Sequence, residues 1–153
     1  MGVVYAPVKN LLYFASSGEA FKEEKGKTVK LNLGKTDKPN KIRTVVSRSH
    51  LDEQTLKFLA HLKRKTGKEI EKISIGSSLK ICYIAEGKAD IYPRFVPTME
   101  WDTATAHAIL NCAGGKLVTL DKNSRIFSKN SQLRYNKESL INPPFVAFNP
   151  NVL

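Results

Sequence analysis

The stretch that decides the fold is residues 99–115, MEWDTATAHAILNCAGG. Small and medium apolar residues recur in it at helical spacing, which predicts a helix that packs closely against a sheet. Asp102 lies near its start, where a carboxylate can accept bonds from free backbone N–H groups and face the positive end of the helix dipole. Gly114 and Gly115 predict a left-handed stop. From this spacing alone, Asp102 is interpreted as an N-cap in preference to a metal ligand.

The bulk composition is that of an ordinary globular protein. A chain of 153 residues with 41% hydrophobic and 25% charged residues can bury one moderate core, so one domain or a domain with an appendage is expected. There is no apolar run of membrane-spanning length and no signal-like start, which predicts a cytoplasmic protein. Cys82 and Cys112 have no metal-ligand spacing and are interpreted as buried free thiols.

The net charge of +11 raises the question of nucleic acid. The excess is spread along the chain, and its strongest part is residues 22–41, which contain seven lysines. No aromatic residue follows Phe21 there, whereas nucleic-acid grooves usually interleave aromatics for stacking. A solvated, flexible loop is therefore the preferred interpretation, and no specific nucleic-acid partner is expected.

Strands alternate with helices along the chain, which predicts an α/β layered domain. Residues 3–5 and 11–15 read as a β-hairpin, followed by a third short strand before the lysine-rich loop. Asp52 is expected to cap a helix that ends at Gly67, with an apolar stripe formed by Leu56, Leu59, Ala60 and Leu62. A second helix is expected between Ser77 and Gly87. Further strands are predicted at residues 42–46, 70–75, 89–92, 117–120 and 145–148.

Two groups of residues are candidates for binding an anion. Gly76 and Ser77 precede a helix, whose first N–H groups can receive an anion, and Lys80 follows in the first turn. A plain serine cap explains the same residues equally well. Arg94 ends a strand, where its planar fork can bind phosphate; the alternative is an ion pair with Glu86 or Glu100.

A third candidate lies at the end of another strand, in Ser47-Arg48-Ser49-His50. These residues would place several donors at one rim of the sheet. The structural alternative is that Ser49 or Asp52 caps the next helix and His50 is an ordinary surface residue. Taken alone, this alternative is the better interpretation of His50.

Several separated motifs together resemble one known family. Trp101-Asp102 with the following helix and Gly114-Gly115 looks like the C-terminal signature of the inositol-monophosphatase superfamily of magnesium-dependent phosphatases. The other motifs resemble its 3'(2'),5'-bisphosphate nucleotidase branch of the CysQ type; they are residues 47–50, 76–80, 85–90, 92–95 and 140–143. The resemblance covers essentially the whole chain and implies the layered α/β sandwich of the sugar phosphatases. It also implies a phosphoric monoester hydrolase of sulfur metabolism.

The same resemblance implies roles for individual residues. Ser47 and His50 would contact the sugar and phosphate region of a nucleotide, and Gly76, Ser77 and Lys80 would contact substrate. Inositol monophosphatases tend to have a carboxylate in the region of Arg94, which suits the hydroxyl groups of a sugar. The arginine in this chain would fit a second phosphate instead. Asp102 would be both a Mg²⁺ ligand and a substrate contact, with Trp101 packed behind the ligand.

One departure from the family limits what can be carried over. The family's principal metal sites use a glutamate and an Asp-Pro-Leu/Ile-Asp-Gly-Thr segment, and no Asp-Gly or Asp-Pro occurs in this chain. The chain therefore resembles the C-terminal portion of such an enzyme, with an incomplete Mg²⁺ site and no complete catalytic set. Residues 1–41 are interpreted as a hairpin and lysine-rich loop left from the sheet of the missing half. Within them, residues 3–21 are expected to be poorly ordered or to pair with another chain. Residues 42–153 are interpreted as the C-terminal α/β domain.

Three functions are then compared. The first is a Mg²⁺-dependent 3'(2'),5'-bisphosphate nucleotidase that removes the 3'-phosphate of adenosine 3',5'-bisphosphate and is inactive as this chain alone. Its partners would be a phosphorylated nucleotide and either a separate N-terminal half or a second copy. The alternatives are a non-catalytic remnant that binds phosphorylated nucleotides and an inositol monophosphatase, which Arg94 disfavours.

Overall fold

The computed structural model describes residues 1–35, 37–47, 52–120 and 132–152. Its helices are α1 (Glu53–Thr66), α2 (Leu79–Ala85) and α3 (Glu100–Cys112). Its strands are β1 (Gly2–Ala6), β2 (Leu11–Ser16), β3 (Glu19–Glu24), β4 (Lys27–Leu31), β5 (Lys41–Val46), β6 (Glu69–Ser74), β7 (Ile91–Arg94), β8 (Thr98–Met99), β9 (Lys116–Thr119), β10 (Ile141–Asn142) and β11 (Phe145–Phe148). No helix in these ranges is both long and apolar enough to cross a membrane.

The first four strands form one antiparallel sheet in the order β1-β2-β3-β4. The predicted hairpin is therefore only part of a larger sheet, and the prediction of a flexible loop over residues 22–41 is wrong for β4. The cause is a two-residue turn at Lys25 and Gly26, both with positive φ, which returns the chain antiparallel to β3. Lysines in this strand lie on exposed positions, so the charge does not prevent pairing.

The second sheet has the order β6-β5-β7-β11-β9. In it β5 is parallel to β6 and β7, while β11 is antiparallel to both of its neighbours. The predicted strands at residues 42–46, 70–75, 117–120 and 145–148 are confirmed with small shifts of their ends, and the strand expected at residues 89–92 begins at Ile91. A short ribbon of β8 and β10 stands apart from both sheets.

The elements stack in layers, as predicted. Side chains alternate along β11, so Phe145 and Ala147 join an apolar cluster with α2 and α3, while Val146 faces the cluster formed by α1. Inward residues of the first sheet belong to the same cluster as α2 and α3. Helices α2 and α3 therefore lie between the two sheets, and α1 covers the far face of the second sheet.

Helix α1 begins and ends where the sequence predicts. The Asp52 carboxylate accepts a bond from the Thr55 backbone N–H at 2.8 Å, and Gly67 ends the helix with φ 68°. The predicted apolar stripe is wrong in two members. Leu56 and Ala60 are exposed, and the buried positions are Thr55, Phe58, Leu59 and Leu62.

Helix α3 ends in the glycine pair that the sequence indicates. Gly114 has φ 92°, a conformation that favours glycine. At Gly115 the reason for glycine is space, because a Cβ there would lie 2.2 Å from the Leu110 Cδ1 atom. The chain can thus turn tightly against the helix it has just left and enter β9.

The first sheet packs on α3 within this chain. Leu11, Tyr13 and Ala15 are buried, and a Cβ on Gly2 would lie 2.4 Å from the Thr105 carbonyl oxygen. The expectation that residues 3–21 are poorly ordered is therefore wrong. Strand β1 lies at an edge of the sheet, and its pairing with another chain stays a prediction, as does the division of the chain at residue 41.

The thiols match the interpretation of free cysteines. Cys82 is buried and Cys112 is half-buried, and neither forms a disulfide. Burial raises the pKa of the Cys82 thiol to about 12, which makes it unreactive near neutral pH.

A polar cluster around Glu86 joins the first sheet to the end of α2. Its carboxylate accepts bonds from the Tyr13 hydroxyl at 2.5 Å and the Lys22 ammonium at 2.6 Å, and Lys88 lies 3.0 Å away. Burial by itself would raise the pKa of Glu86, but the bonds from Lys22, Tyr13 and Lys88 outweigh it and lower the pKa. Burial and the bond to Glu86 raise the pKa of Tyr13.

Replacing Glu86 by glutamine is expected to lower the free energy of unfolding at neutral pH by about 1.5–3 kcal/mol, the usual value for hydrogen bonds to a charged group. Because folding lowers the pKa of Glu86, its contribution is complete above the ordinary value of 4.5 and is lost as the pH falls through the folded-state value. Urea unfolding of wild type and variant should therefore show a difference that shrinks on acidification.

The matched control for this prediction is Glu19→Gln, which breaks an ion pair with Lys30 on the same sheet. Both partners of that pair are exposed, so its loss should change stability little. A Glu86 effect as small as the Glu19 effect, or one that persists unchanged in acid, would contradict the prediction.

Candidate functional site

A pocket of about 240 Å³ opens between the first turns of α2 and α3 and the ends of β7 and β11. Four of the site residues predicted from the sequence meet there, although 25 positions separate Ser77 from Asp102 in the chain; they are Ser77, Lys80, Arg94 and Asp102. The residues that line it are Ser77, Ser78, Lys80, Ile81, Tyr92, Arg94, Thr98, Asp102, Thr103 and Phe145.

Lys80 is the most enclosed charge of the pocket. The residue is 8% exposed, and its ammonium lies 5.5 Å from the centre of the Tyr92 ring and 3.3 Å from the Ser77 carbonyl oxygen. Burial lowers its pKa, and the nearby Arg94 lowers it further, while Asp102 acts in the opposite direction. A desolvated cation beside a second cation is well suited to receive an anion.

The turn before α2 differs from the predicted helix start. Ser77 has φ 57° and lies in the turn, and α2 begins at Leu79 with only seven residues. Ser78 makes no side-chain cap, so the serine-cap alternative is wrong for it; its hydroxyl donates to the Asp102 carbonyl oxygen at 3.1 Å. Ser77 lines the pocket, and Gly76 adjoins it in sequence without lining it.

Arg94 lies where the pocket meets a second hollow. Its Nε donates to the Val96 carbonyl oxygen at 2.9 Å, which leaves the guanidinium at the rim. The alternative of an ion pair with Glu86 or Glu100 is not observed, because Glu86 binds Tyr13 and Lys22 and Glu100 binds Lys137.

The second hollow places Ser47 close to Arg94. Ser47, Asp52, Thr55 and Arg94 are among its lining residues. Hydrogen bonds from Thr55 lower the pKa of Asp52 in spite of the opposing effect of burial. Asp52 therefore remains a helix cap with a negative charge. His50, the other residue predicted at this rim, lies outside the described residues.

Asp102 lies in the first turn of α3 rather than at the N-cap. The helix begins at Glu100, so the N-cap is Met99, and the Asp102 carboxylate reaches back to accept the Met99 backbone N–H at 2.8 Å. The Asp102 carboxylate thus accepts a bond from a free N–H group, as predicted, but Asp102 lies three positions after the N-cap instead of at it. Asp102 is also one of the residues that line the pocket.

Trp101 does not pack behind a ligand. Its side chain is 63% exposed, so the packing interpretation is wrong. The position follows from the helix, because Glu100 and Thr103 occupy the buried side of this turn.

The described residues provide only part of a metal site. They contain no cluster of three or more His, Cys, Asp or Glu side chains arranged to hold a metal. Among the residues that the structure describes, Asp102 is the one carboxylate that lines the pocket, and Thr98 and Thr103 add hydroxyl oxygens. Such oxygen donors suit Mg²⁺, which proteins often bind through one or two carboxylates together with substrate phosphates.

Sequence reasoning missed Tyr92, Thr98 and Thr103 as pocket residues. Tyr92 belongs to the motif at residues 92–95, and that motif was the available signal. Thr98 and Thr103 have no distinctive pattern, because their place depends on how β8 leads into α3.

Comparison of the sequence with known proteins identifies the family to which the chain belongs. The chain matches the model of the inositol monophosphatase family over residues 1–144 and belongs to that family. In sequence it is similar to the 3'(2'),5'-bisphosphate nucleotidase CysQ of Salmonella typhimurium, with 41% identity over 150 residues, covering 95% of this chain and 53% of the relative. The corresponding enzyme of Escherichia coli K12 is 46% identical over 114 residues, covering 74% and 43%.

Solved structures give the same result. The crystal structure of CysQ from Bacteroides thetaiotaomicron aligns with a TM-score of 0.80 at 41% identity, covering 96% of this chain and 56% of that one. SuhB of Mycobacterium tuberculosis shares the fold, with a TM-score of 0.65 at 20% identity and coverage of 98% and 53%. The chain spans about half the length of the curated relatives it matches.

Proposed function

We propose that this chain carries the substrate-binding part of a Mg²⁺-dependent 3'(2'),5'-bisphosphate nucleotidase, whose reaction removes the 3'-phosphate of adenosine 3',5'-bisphosphate. The observation that carries the proposal is the meeting of Lys80, Arg94 and Asp102 around one pocket. The similarity to the CysQ nucleotidases supports the choice of substrate.

The two cations supply the affinity for phosphate. Lys80 is held in place by α2 and by the Tyr92 ring, so binding an anion costs it little conformational freedom. Arg94 offers a planar fork at the rim, which can bind two oxygens of one phosphate. Two separate cations fit a ligand with two phosphates, and this favours a bisphosphorylated nucleotide over an inositol monophosphate.

Asp102 supplies one ligand for a metal. Members of the family are generally metal-dependent. When bound, Mg²⁺ would neutralise charge on the phosphoryl oxygens. Among the residues that the structure describes, no second carboxylate lines the pocket. We therefore propose that the further carboxylates of a two-ion site are supplied by another segment of protein. Such a complementing segment is the partner that we propose for the chain.

The purified chain is expected to release negligible phosphate from adenosine 3',5'-bisphosphate, even with millimolar Mg²⁺. The physical reason is that a single aspartate cannot hold two ions about 3.5–4 Å apart. The measurement is release of inorganic phosphate by wild type and by Asp102→Asn, which keeps the size of the side chain and removes its charge. Phosphate release that depends on Asp102 in the chain alone would overturn this part of the proposal.

Binding distinguishes the proposed substrate from the other candidates. Calorimetry should show adenosine 3',5'-bisphosphate binding more tightly than adenosine and more tightly than inositol monophosphate. Equal affinities for the bisphosphate and for adenosine would contradict a phosphate site, and a preference for inositol monophosphate would favour the other branch of the family.

A further inference from the structure

A buried asparagine lies directly beneath the pocket. Asn142, in β10, is 2% exposed and pairs with Thr98 of β8. Its side-chain amide nitrogen lies 2.8 Å from the Met99 carbonyl oxygen, 3.1 Å from the Thr103 hydroxyl and 3.2 Å from the Thr98 hydroxyl. The two N–H groups of the amide are shared among these three acceptors. All of its side-chain bonds within the described ranges thus go to the segment that leads into α3.

This segment is the one that presents Asp102. Met99, whose carbonyl accepts the Asn142 bond, also donates its backbone N–H to the Asp102 carboxylate. Thr98 and Thr103, the other two acceptors, flank Asp102 in the lining of the pocket. One buried amide therefore fixes the backbone on which Asp102 stands and two of the hydroxyls beside it.

The anchoring continues on the far side of Thr103. Its hydroxyl donates to the Glu100 carbonyl oxygen at 3.1 Å and accepts a bond from the Tyr135 hydroxyl at 3.3 Å. Side chains from β10 and from Tyr135 thus bind the first turn of α3 from outside the helix. Within the turn itself, the Asp102 carboxylate accepts the Met99 backbone N–H.

We propose that Asn142 is a positioning residue: it holds the start of α3 so that the Asp102 carboxylate keeps its orientation toward a Mg²⁺ ion bound with the nucleotide. This rests on the proposed function for the identity of the ion and the nucleotide. Residues that orient a metal ligand usually affect metal affinity by about 10–100-fold when they are replaced. Asn142 does not touch the pocket itself, so it acts through Met99, Thr98 and Thr103.

The test compares Asn142→Ala with Asn149→Ala as the matched control. Asn149 is likewise a buried asparagine, 3% exposed, but its amide donates to the Gly34 carbonyl oxygen, far along the chain from α3. Both changes are expected to lower thermal stability. Calorimetry with adenosine 3',5'-bisphosphate, with and without Mg²⁺, should show that Asn142→Ala reduces the apparent affinity for Mg²⁺ by about tenfold. Asn149→Ala should leave it unchanged.

A double-variant cycle separates positioning from general loosening of the fold. If Asn142 acts through Asp102, adding Asn142→Ala to Asp102→Asn should cause no further loss of Mg²⁺ affinity. Full Mg²⁺ affinity in Asn142→Ala, or independent losses in the double variant, would overturn the proposal. Should Asn142→Ala fail to fold, Asn142→Thr takes its place, because threonine fills more of the volume and suits a strand.

A second readout needs no nucleotide. Trp101 is the only tryptophan of the chain and lies next to Asp102 on the same turn, so its fluorescence anisotropy decay reports the mobility of that turn. Asn142→Ala should increase the local mobility of Trp101, and Asn149→Ala should not. If wild type binds no bisphosphate, the proposed function fails, and the anisotropy decides the positioning role alone: an unchanged decay in Asn142→Ala overturns it.

Discussion

Replacing Asp90 by asparagine is expected to lower the free energy of unfolding by about 3–5 kcal/mol, the usual cost of removing one partner from a buried ion pair. Asp90 is fully buried, and its carboxylate accepts bonds from the Arg43 guanidinium at 2.7 and 3.1 Å and from the Arg43 backbone N–H at 2.7 Å. The hydrogen bond to Asp90 raises the pKa of Arg43 in the wild type. Without the Asp90 charge the guanidinium still stays protonated, because arginine is always charged in proteins. A buried cation would then have lost its main counter-charge.

The matched control is Asp37→Asn, which removes a second carboxylate from the same arginine. Asp37 lies 3.5 Å from the Arg43 guanidinium, but its side chain is 74% exposed, so water screens the pair and stability should change little. Chemical denaturation of both variants measures the difference. Equal losses of unfolding free energy in the two variants would show that the buried pair with Asp90 contributes no more to stability than the exposed pair with Asp37.

This ion pair fixes the part of the fold that carries the pocket. It joins β5 to the residue just before β7, and the Asp90 carbonyl also accepts the Asn149 backbone N–H after β11. Strand β7 then runs directly to Tyr92 and Arg94. The position of the pocket's rim is therefore connected to a charge pair in the interior, where sequence patterns alone assigned no role.

Sequence predicted best the features that depend on neighbouring residues. Asp52 and Gly67 mark the ends of α1 because an N-cap and a left-handed stop are local chemistry, set by one or two residues. The positions of the strands in the second sheet were predicted equally well, since runs of β-branched and aromatic residues between turns are typical of strands. Their order in the sheet has no such local signal, and only the structure shows it.

The predictions that failed depend on contacts distant in sequence. Two members of the apolar stripe of α1 were assigned to the wrong face, because Leu56 and Ala60 are apolar and exposed while Thr55 is polar and buried. The density of lysines predicted a loop where β4 forms. The pairing of β4 with β3 depends instead on the two-residue turn at Lys25 and Gly26. The resemblance to the family implied that Trp101 packs behind a ligand, yet Glu100 takes the buried position of this turn and accepts the Asn136 backbone N–H at 2.7 Å.

In the candidate site, too, the residues with a local signal were predicted, and those that depend on contacts distant in sequence were not. Lys80, Arg94 and Asp102 could be named as polar residues at the ends of elements, and the motifs of the resembled family brought them together before the structure did. Asn142 could not be given a role in this way. Its sequence neighbours suggest a turn, and its function arises only because β10 pairs with β8 at the foot of α3.

Replacing Lys80 by methionine is expected to weaken the binding of adenosine 3',5'-bisphosphate by about 1.5–3 kcal/mol, the value of a charge-assisted hydrogen bond, which is roughly 10- to 150-fold in Kd. Methionine keeps the buried apolar stem and its contact with Tyr92, so the loss reports the ammonium group alone. Arg94→Ala should weaken binding by a similar amount, because its guanidinium lines the same pocket. The control is Lys88→Met: Lys88 also lies over a tyrosine ring, 5.2 Å from the centre of Tyr83, but outside the pocket, and its loss should leave Kd unchanged. Calorimetry that gives Lys80→Met and Lys88→Met the same affinity as wild type would remove the phosphate site from this pocket.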